Sequence, residues 1–248
     1  MFAVLLACTG AGPADTGGSG PVDSGDTAGD SGDTAGDTGD TGDTGDTGDT
    51  GDTGDTGDVV PVVYDPWPFA DTVVDHTFGE AAGYGQDRFP DVVYGPPESS
   101  GAGGGGLDVL SLGDQGSIVL AFRELDVVDG PGVDLLVFEN PLVGWVETGV
   151  VGVSDDGVSW VEWPCDTADA DGGYPGCAGV ALVYTNSTNG IDATDPDAAG
   201  GDRYDLADIG VGRARYVRIR DSGANSYAGN SGGFDLDAVA ILNGAPWE

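Results

Sequence analysis

Acidic side chains are the residues of this sequence best suited to form a chemical site. Asp235 and Asp237 stand two positions apart in an alternating run, so a β-strand would place their carboxylates on one face, about 6–7 Å apart. Two carboxylates this close repel one another unless a cation lies between them. Because Ca²⁺ prefers oxygen ligands, this spacing points to a bound calcium ion.

Further acids lie in turns or at strand ends, where oxygen atoms can converge on one point. Asp129 and Asp134 bracket a glycine- and proline-containing turn, and Glu139 ends the strand predicted to follow it. Asp202 and Asp205 frame another turn. We expect some of these acids to bind Ca²⁺, and the candidate ligands are Asp129, Asp134, Glu139, Asp202, Asp205, Asp235 and Asp237. The alternative is that they cap turns and remain solvated, since aspartate beside glycine is common in loops.

A stripe of arginines precedes and occupies a predicted late strand. Arg213, Arg215, Arg218 and Arg220 supply four of the seven positive side chains. They are the natural structural partners of the candidate calcium ligands. An alternative role is to bind an anionic sugar.

The sequence gives little support for catalysis. His76 is the only histidine, so every Ser-His or Cys-His mechanism would have to pass through it, and its alternating context is typical of a strand-face residue. A single histidine also argues against zinc. A glycoside hydrolase with paired carboxylates stays open as an alternative, because acids are abundant.

Several aromatic residues near predicted strand ends would suit stacking against carbohydrate. They are Trp145, Trp160, Trp163 and Tyr174. For Trp160 we favour a place in the core.

The three cysteines divide into a pair and a single residue. Cys165 and Cys177 flank eleven residues rich in Gly and Asp and are predicted to form a disulfide. Closing so short a loop contributes about 2–3 kcal/mol in the loop-entropy model. Cys8 lies apart and follows a short apolar run.

The segment around Cys8 resembles the bacterial lipobox. Leu5-Leu6-Ala7-Cys8 has the small residue before the cysteine that receives diacylglycerol. The run lacks a basic start and is shorter than a usual signal sequence, which suggests that the true start codon lies upstream. The resemblance implies a secreted lipoprotein, with residues 1–8 as the signal remnant. Thr9 after the cysteine favours the outer membrane.

Residues 9–58 read as a disordered linker. The triplet Gly-Asp-Thr repeats seven times from Gly36 to Thr56, and nothing apolar offsets its charge repulsion and backbone entropy. The net charge of the chain is -37, with 44 acids, no Lys and seven Arg. Such acidity repels phosphate backbones, so we expect no nucleic-acid partner and contact with a membrane only through the lipid anchor. A calcium site or a saline habitat would relieve the repulsion.

Residues 59–248 are predicted to form an all-β domain, a jelly-roll-like β-sandwich. Short Val-, Leu-, Ile- and aromatic-rich runs recur between Gly, Pro, Asp and Asn. The candidate strands are Thr72–Thr77, Asp91–Tyr94, Leu107–Leu112, Ser117–Arg123, Val133–Glu139, Gly149–Ser154, Val158–Trp163, Val180–Tyr184, Ala214–Asp221 and Phe234–Leu242.

Three segments carry a more specific pattern. Residues 151–160 alternate on both sides of Asp156-Gly157, which predicts a hairpin. In 214–220, Val217 and Ile219 share one face. In 234–242, Phe234, Leu236 and Ala238 are expected to share one face, opposite Asp235 and Asp237.

The segments 151–160 and 214–220 resemble discoidin-type and other galactose-binding-like jelly rolls, in which a turn-linked strand pair and a late strand of this type recur. A broader resemblance, to a group of bacterial cell-surface domains, covers most of residues 72–244. It rests on residues 95–97, 109–113, 130–141, 199–206 and 233–238. The resemblance implies a fold and a location at the cell surface.

We therefore expect a non-enzymatic, surface-anchored binding or adhesion module on the outer membrane. Its expected ligand is a carbohydrate or another surface protein. The alternatives are a structural envelope protein without a discrete ligand and, third, a carboxylate-dependent glycan hydrolase. The sequence leaves the oligomeric state open.

Overall fold

The computed structural model describes residues 66–101, 104–140, 142–225, 227 and 229–247. The predicted lipidation of Cys8, the signal remnant 1–8 and the linker 9–58 lie outside the described residues. So does the predicted start of the folded domain at residue 59.

The described chain is almost entirely β-structure, as the sequence predicts. Its strands are β1 (Thr72–Thr77), β2 (Leu110–Ser111), β3 (Ser117–Ala121), β4 (Leu125–Val128), β5 (Leu135–Glu139), β6 (Gly149–Ser154), β7 (Val161–Glu162), β8 (Asp202–Tyr204), β9 (Arg213–Ala214), β10 (Tyr216–Asp221), β11 (Asp235–Ile241) and β12 (Gly244–Pro246). Two short 3₁₀ helices cover Asp91–Val93 and Leu206–Ile209. No helix among the described residues is long and apolar enough to cross a bilayer.

The strands form three antiparallel sheets. The largest has the order β1-β3-β10-β6-β7, the second β2-β11-β5-β8, and a small third sheet β12-β4-β9. Apart from the β6–β7 hairpin, neighbouring strands in these sheets are not consecutive in sequence, so the chain crosses repeatedly between sheets. This arrangement is a β-sandwich, the class predicted from the spacing of the short apolar runs.

The main core lies between the two large sheets. The alternating sequence of β10 sends Val217 and Ile219 into it, where they meet Val151 of β6 and Ile118 of β3. The opposing sheet contributes Leu236 of β11, among other residues. Full burial of an aliphatic side chain contributes about 1.5–3 kcal/mol, so this shared layer holds the two sheets together.

A second, smaller core covers the outer face of the four-stranded sheet. Leu136 and Phe138 of β5 pack there with Phe69, Val183 and Ala240. The residues that alternate with them, such as Val137, belong to the main core. Both faces of β5 are therefore buried, which explains its continuous apolar run.

Two strand predictions are wrong in type. Asp91–Tyr94, predicted as a strand, is a 3₁₀ helix over Asp91–Val93 followed by extended Tyr94, since a four-residue apolar run does not distinguish the two states. Val180–Tyr184 is a loop with one isolated bridge, Val183 to Gly200. Its first amides donate to the carboxylate of Asp202 rather than to a strand.

The prediction for β11 fails at a bulge. The register with β5 shifts between Leu236 and Ala238. Phe234 and Leu236 therefore lie in the main core, whereas Ala238 lies in the second core and not on their face. Asp237 is the extra residue at the bulge, so strict alternation with Asp235 does not hold there.

The hairpin predicted in residues 151–160 is present with a wider loop. Val153 of β6 pairs with Val161 of β7, and the chain between them turns around Asp156. The Asp156 carboxylate accepts from the amides of Val158 and Ser159 at 2.8 and 2.7 Å, and these bonds lower its pKa below the ordinary range. Gly157 has a φ of 71°, as the Asp-Gly signal implies.

The arginine stripe forms ion pairs with Asp126 and Glu162, which were not among the candidate calcium ligands. Arg213 and Arg215 bind buried Asp126, with Arg215 Nε 3.2 Å from Asp126 Oδ1. Arg218 and Arg220 bind Glu162. The first pair ties the third sheet to the chain that enters β10, and the second ties β10 to β7.

The predicted disulfide between Cys165 and Cys177 is confirmed, with the two Cα atoms 4.5 Å apart. It closes a loop whose end, Ala178, bridges to Gly149 at the start of β6.

Replacing Asp126 with Asn should lower the free energy of unfolding by about 3 kcal/mol, because two arginines would lose their shared, buried partner. The side chain of Asp126 is 2% exposed in these ion pairs. Denaturant unfolding measures the change. The matched control is Asp197→Asn, which removes the exposed pair with Arg203 and should cost less than about 1 kcal/mol. Equal effects of the two substitutions would contradict this assignment.

Candidate functional site

The structure separates the seven candidate calcium ligands into three sets. Asp129, Asp134 and Asp205 come together on one side of the sandwich. Glu139 and Asp235 lie in or beside a cleft at the ends of β5 and β11. Asp202 and Asp237 are each engaged by backbone amides elsewhere. The acids therefore do not form one common site.

The first set, the Asp129 cluster, consists of Asp129, Asp134 and Asp205. One carboxylate oxygen from each lies within 4.8 Å of the others. Asp134 is fully buried and accepts hydrogen bonds from Gly130 N at 2.9 Å and Leu206 N at 2.8 Å. These bonds join the turn after β4 to the 3₁₀ helix after β8.

The other two acids of the cluster are more accessible. Asp205 caps the 3₁₀ helix by accepting from Ala207 N at 2.9 Å, and Asp129 is exposed. Two oxygens on opposite sides of a cation with bonds of about 2.4 Å are separated by about 4.8 Å. The cluster can therefore hold a metal ion, with Asp134 fixed in advance by the fold.

Asp202 organises the loop that follows the disulfide. Its carboxylate accepts from Gly179 N at 2.7 Å and Ala181 N at 3.0 Å. Burial raises its pKa to about 6 although these amide bonds oppose the shift. Asp202 is thus a structural acceptor for backbone amides.

Asp237 has a similar role on the other side of the sheet. Its two carboxylate oxygens lie 3.0 and 3.2 Å from Glu98 N. Burial raises its pKa to about 7, and the charge of Glu98 adds to the shift. The carboxylates of Asp235 and Asp237 therefore have different partners instead of a shared cation.

The main cleft, named here the Trp145 cleft, has a volume of about 460 Å³. Its lining combines aromatic, apolar and polar residues, namely Tyr84, Gly106, Leu107, Asn140, Leu142, Trp145, Glu147, Ser231 and Asp235. The volume falls within the range of small-molecule sites, and the mixture of apolar walls with a few polar groups is typical of them.

Three carboxylates, Glu147 and Asp235 in the lining of this cleft and buried Glu139 close to them, have no basic neighbour among the interactions described. Glu139 is 2% exposed, and burial together with the charges of Asp235, Glu147 and Asp202 raises its pKa well above the usual range. Burial and the charge of Asp235 raise the pKa of Glu147 to about 7. Burial raises the pKa of Asp235 to about 6.

An amide network fixes Asp235 at the cleft. The side chains of Ser111 and Asn140 both hydrogen-bond its carboxylate. Asn140 Oδ1 in turn accepts from Gly106 N at 2.7 Å, so its side-chain nitrogen faces Asp235. A Cβ on Gly105 would lie 2.5 Å from Asn140 Oδ1, which explains the glycine at this position.

Glu147 holds the aromatic wall of the cleft. Its carboxylate hydrogen-bonds the side chain of Trp145, whose only polar atom is the indole N–H. The peptide of Glu147 is packed closely as well, since a Cβ on Gly179 would lie 1.9 Å from Glu147 O. Asp202 accepts a hydrogen bond from the amide of the same Gly179. Asp202 therefore fixes the backbone that packs against Glu147.

The rim of the cleft exposes large apolar side chains. Leu107, Leu142 and Trp145 are 78%, 52% and 52% exposed. Scattered apolar residues are normal on protein surfaces, but several on one cleft rim indicate an interaction site.

Sequence reasoning missed Glu147 and Asp221. Asp221 accepts from Gln115 N, Gly223 N and Phe234 N at 3.0, 2.9 and 3.0 Å, and from the side chains of Asn225 and Tyr227. It closes the end of the sandwich near Glu147. No local motif marks either acid, although Trp145 lies two residues from Glu147 and Gly223 two residues from Asp221.

The remaining predicted residues have mainly structural environments. His76 is exposed on β1 and contacts the rings of Phe78 and Phe89. Trp163 is buried and donates to Asp205 O at 3.1 Å. Trp160 is half-buried beneath the guanidinium of Arg218, rather than in the core as expected. Tyr174 lines a shallow depression beside the disulfide.

The cleft carboxylates should make the protein less stable as pH rises from about 4 to about 7. Their pKa values are higher in the folded state than in the unfolded chain, so the folded state binds more protons across this window and loses that advantage as they ionise. Glu139→Gln should raise stability at pH 7.5 and reduce the difference between pH 5 and pH 7.5 by at least about 1 kcal/mol.

Urea unfolding at the two pH values measures this difference. Exposed Asp87→Asn is the control and should leave the pH dependence unchanged. A Glu139→Gln profile parallel to that of the wild type would argue against a raised pKa for Glu139 in the folded protein.

Comparison with known proteins does not assign this chain to a family. No protein family model matches the chain, and no curated protein matches it significantly. The function must therefore be argued from the Trp145 cleft and the Asp129 cluster themselves.

Proposed function

We propose that this protein is a carbohydrate-binding module, stabilised by Ca²⁺ and displayed on the outside of the cell. The observation that carries the proposal is the Trp145 cleft, in which exposed aromatic rings stand beside fixed hydrogen-bonding groups. Sugars present apolar C–H faces and hydroxyl edges, so they require both kinds of surface. The chain is proposed to be a galactose-binding-like jelly roll, as residues 151–160 and 214–220 suggest.

The polar groups of the cleft suit hydroxyl ligands. Asn140 is held in one orientation by Gly106 N and Asp235, and Ser231 lies on the opposite lining. Fixed acceptors and donors lose little entropy on binding. Trp145, held by Glu147, supplies a flat surface for a sugar ring.

The titration of the cleft favours binding over hydrolysis. Paired-carboxylate hydrolases need one carboxyl that stays protonated and another that stays ionised, in environments that push their pKa values apart. Here burial raises the pKa of both Asp235 and Glu147, to about 6 and about 7. A glycan hydrolase therefore remains the weaker alternative, and a structural envelope role leaves the cleft without a purpose.

Display outside the cell is consistent with the disulfide between Cys165 and Cys177, because such bonds persist in oxidising compartments. The proposed anchor is a lipid on Cys8, and the Gly-Asp-Thr segment would serve as the linker. The proposed place is the outer membrane.

Trp145→Ala should reduce glycan affinity at least about tenfold, because the aromatic platform is lost. The full chain is first screened on a glycan array, and the best ligand is then titrated by calorimetry. The control is Trp247→Ala, since Trp247 is 46% exposed but is not part of the cleft lining. Failure of the wild type to bind any glycan would reject the proposal, and release of shorter sugars would favour the hydrolase.

Ca²⁺ is the metal proposed for the Asp129 cluster, because its three donors are carboxylates. At a hundredfold excess over its Kd, Ca²⁺ should raise the Tm by about 5 °C or more relative to EDTA. Asp129→Asn should abolish this response with little effect in EDTA, as Asp129 is exposed. The control is Asp87→Asn, and an unchanged Ca²⁺ response in Asp129→Asn would exclude this cluster.

A further inference from the structure

The chain contains two Asn-Gly pairs, Asn189-Gly190 and Asn243-Gly244. An asparagine followed by glycine is chemically labile, because the glycine nitrogen can attack the side-chain amide carbon without hindrance from a side chain of its own. Ammonia leaves in this reaction and a cyclic succinimide forms. The structure places the two pairs in opposite surroundings, and these surroundings decide which of them can react.

Asn189 and Gly190 are both exposed on the loop that follows Val183. Gly190 has a φ of 76°, and a Cβ built on it would meet no atom within 4 Å. Its N–H donates no hydrogen bond among the described residues. The nitrogen that would attack is therefore unoccupied, and water and dissolved base can reach the Gly190 peptide.

Two backbone amides hold the side-chain carbonyl of Asn189. Its Oδ1 accepts from Ile191 N at 3.0 Å and from Asn186 N at 3.3 Å. The bond from Ile191 spans Gly190, so it folds the Asn189 side chain back over the peptide whose nitrogen attacks. Both donors also polarise the carbonyl and would stabilise the negative charge that develops on Oδ1 when the nitrogen adds. The loop therefore supplies both the alignment and the charge stabilisation that the reaction needs.

The hydrogen bond lost in this reaction is the one made by the side-chain nitrogen. Asn189 Nδ2 donates to Tyr184 O at 2.8 Å, and this bond disappears when ammonia leaves. The carboxylate that replaces the amide is a stronger acceptor for Ile191 N and Asn186 N. The product keeps and strengthens two contacts of the reactant, so the folded loop can accommodate it.

Asn243 is held in a way that prevents the same attack. Its Nδ2 donates to Asp134 Oδ1 at 2.8 Å and to Val133 O at 3.1 Å, so the loss of ammonia would remove two hydrogen bonds. Gly244 belongs to β12, where strand pairing fixes its backbone. A Cβ on Gly130 would lie 2.3 Å from Asn243 Cγ. The Gly130 backbone therefore covers the carbon that would have to be attacked.

We propose that Asn189 is a site of spontaneous deamidation, at which the folded loop positions the reacting groups. A base from solvent removes the Gly190 N–H proton, and the nitrogen bonds to Asn189 Cγ as the carbonyl electron pair moves to Oδ1. The carbonyl then re-forms, the Cγ–Nδ2 bond breaks, and Nδ2 leaves as ammonia with a proton from solvent. Water opens the succinimide at either carbonyl and gives aspartate or isoaspartate, with no change in oxidation state.

The modified loop also packs against a second loop. Asn186 Nδ2 donates to Ser99 O at 3.1 Å, and Ser99 Oγ donates to Thr185 O at 3.1 Å. Deamidation adds a negative charge beside these contacts, and isoaspartate also inserts a methylene group into the backbone. The charge and the length of this loop would therefore change as the protein ages.

The test is incubation of the full chain in mildly alkaline buffer, followed by peptide mass spectrometry that resolves asparagine, aspartate and isoaspartate. In the folded protein, Asn189 should convert at least about tenfold faster than Asn243, since misplacing a nucleophile by about 1 Å can cost about a hundredfold in rate. In urea, where neither asparagine is held, the two should convert at similar rates. Conversion of Asn189 should be at least as fast in the folded protein as in urea.

Gly190→Ala tests the glycine, and Gly173→Ala is its matched control. Both glycines have a φ of 76° and open space around an added Cβ, but of the two only Gly190 follows an asparagine. Gly190→Ala should slow the conversion of Asn189 at least about tenfold, because the methyl group hinders the approach of the nitrogen. Gly173→Ala should leave the rate unchanged.

Three outcomes would overturn the proposal. They are an Asn189 that stays intact, equal conversion of Asn189 and Asn243 in the folded protein, and undiminished conversion in Gly190→Ala. Faster conversion of Asn189 in urea than in the folded protein would show that the loop protects the residue, which also contradicts the proposal. None of these outcomes depends on carbohydrate binding.

Discussion

Buried carboxylates need hydrogen-bond donors or positive charge, and the arrangement of this fold depends on how that need is met. With 44 acids, seven arginines and no lysine, ion pairs serve only a few of them. Asp126 alone forms ion pairs with two arginines, Arg213 and Arg215. Backbone amides provide for others, as in Asp221 with three such donors and Asp202 with its loop. Many of these contacts also join segments that are distant in sequence. The bonds that satisfy buried carboxylates therefore also hold the tertiary structure together.

The carboxylates in and beside the Trp145 cleft have fewer hydrogen-bond donors and no ion pair among the interactions described. Asp235 accepts from Ser111 and Asn140, and Glu147 bonds Trp145, while Glu139 Oε2 receives no donor among the described residues. A buried carboxyl with an unsatisfied oxygen is tolerated at a functional site, where ligand binding offsets its cost. The exposed apolar rim around the same cleft is the surface that the proposed carbohydrate ligand would cover.

Much of the fold was predictable from local sequence patterns, whereas the site was not. Alternation and turn residues located β1, β3, β5, β6 and β10, because side-chain period and glycine geometry act within a few residues. The pair Cys165 and Cys177 followed from spacing. The Ala238 face was missed because a bulge depends on the partner strand. Glu139 and Asp235 were selected as ligands, yet their neighbour Glu147 was missed, since only tertiary folding brings it to them. Asp129, Asp134 and Asp205 were among the candidate ligands, but the pattern could not separate them from the amide-bound Asp202 and Asp237.

The central claim is that the cleft carboxylates lack a counter-charge in the free protein. Carbon-detected NMR titration of the side-chain carboxyl groups measures this directly. The account predicts that Glu139, Glu147 and Asp235 take up protons well above the ordinary pKa of their residue types, whereas Asp156, held by the amides of its turn, does so below it. Ordinary pKa values for all three cleft acids would contradict the account.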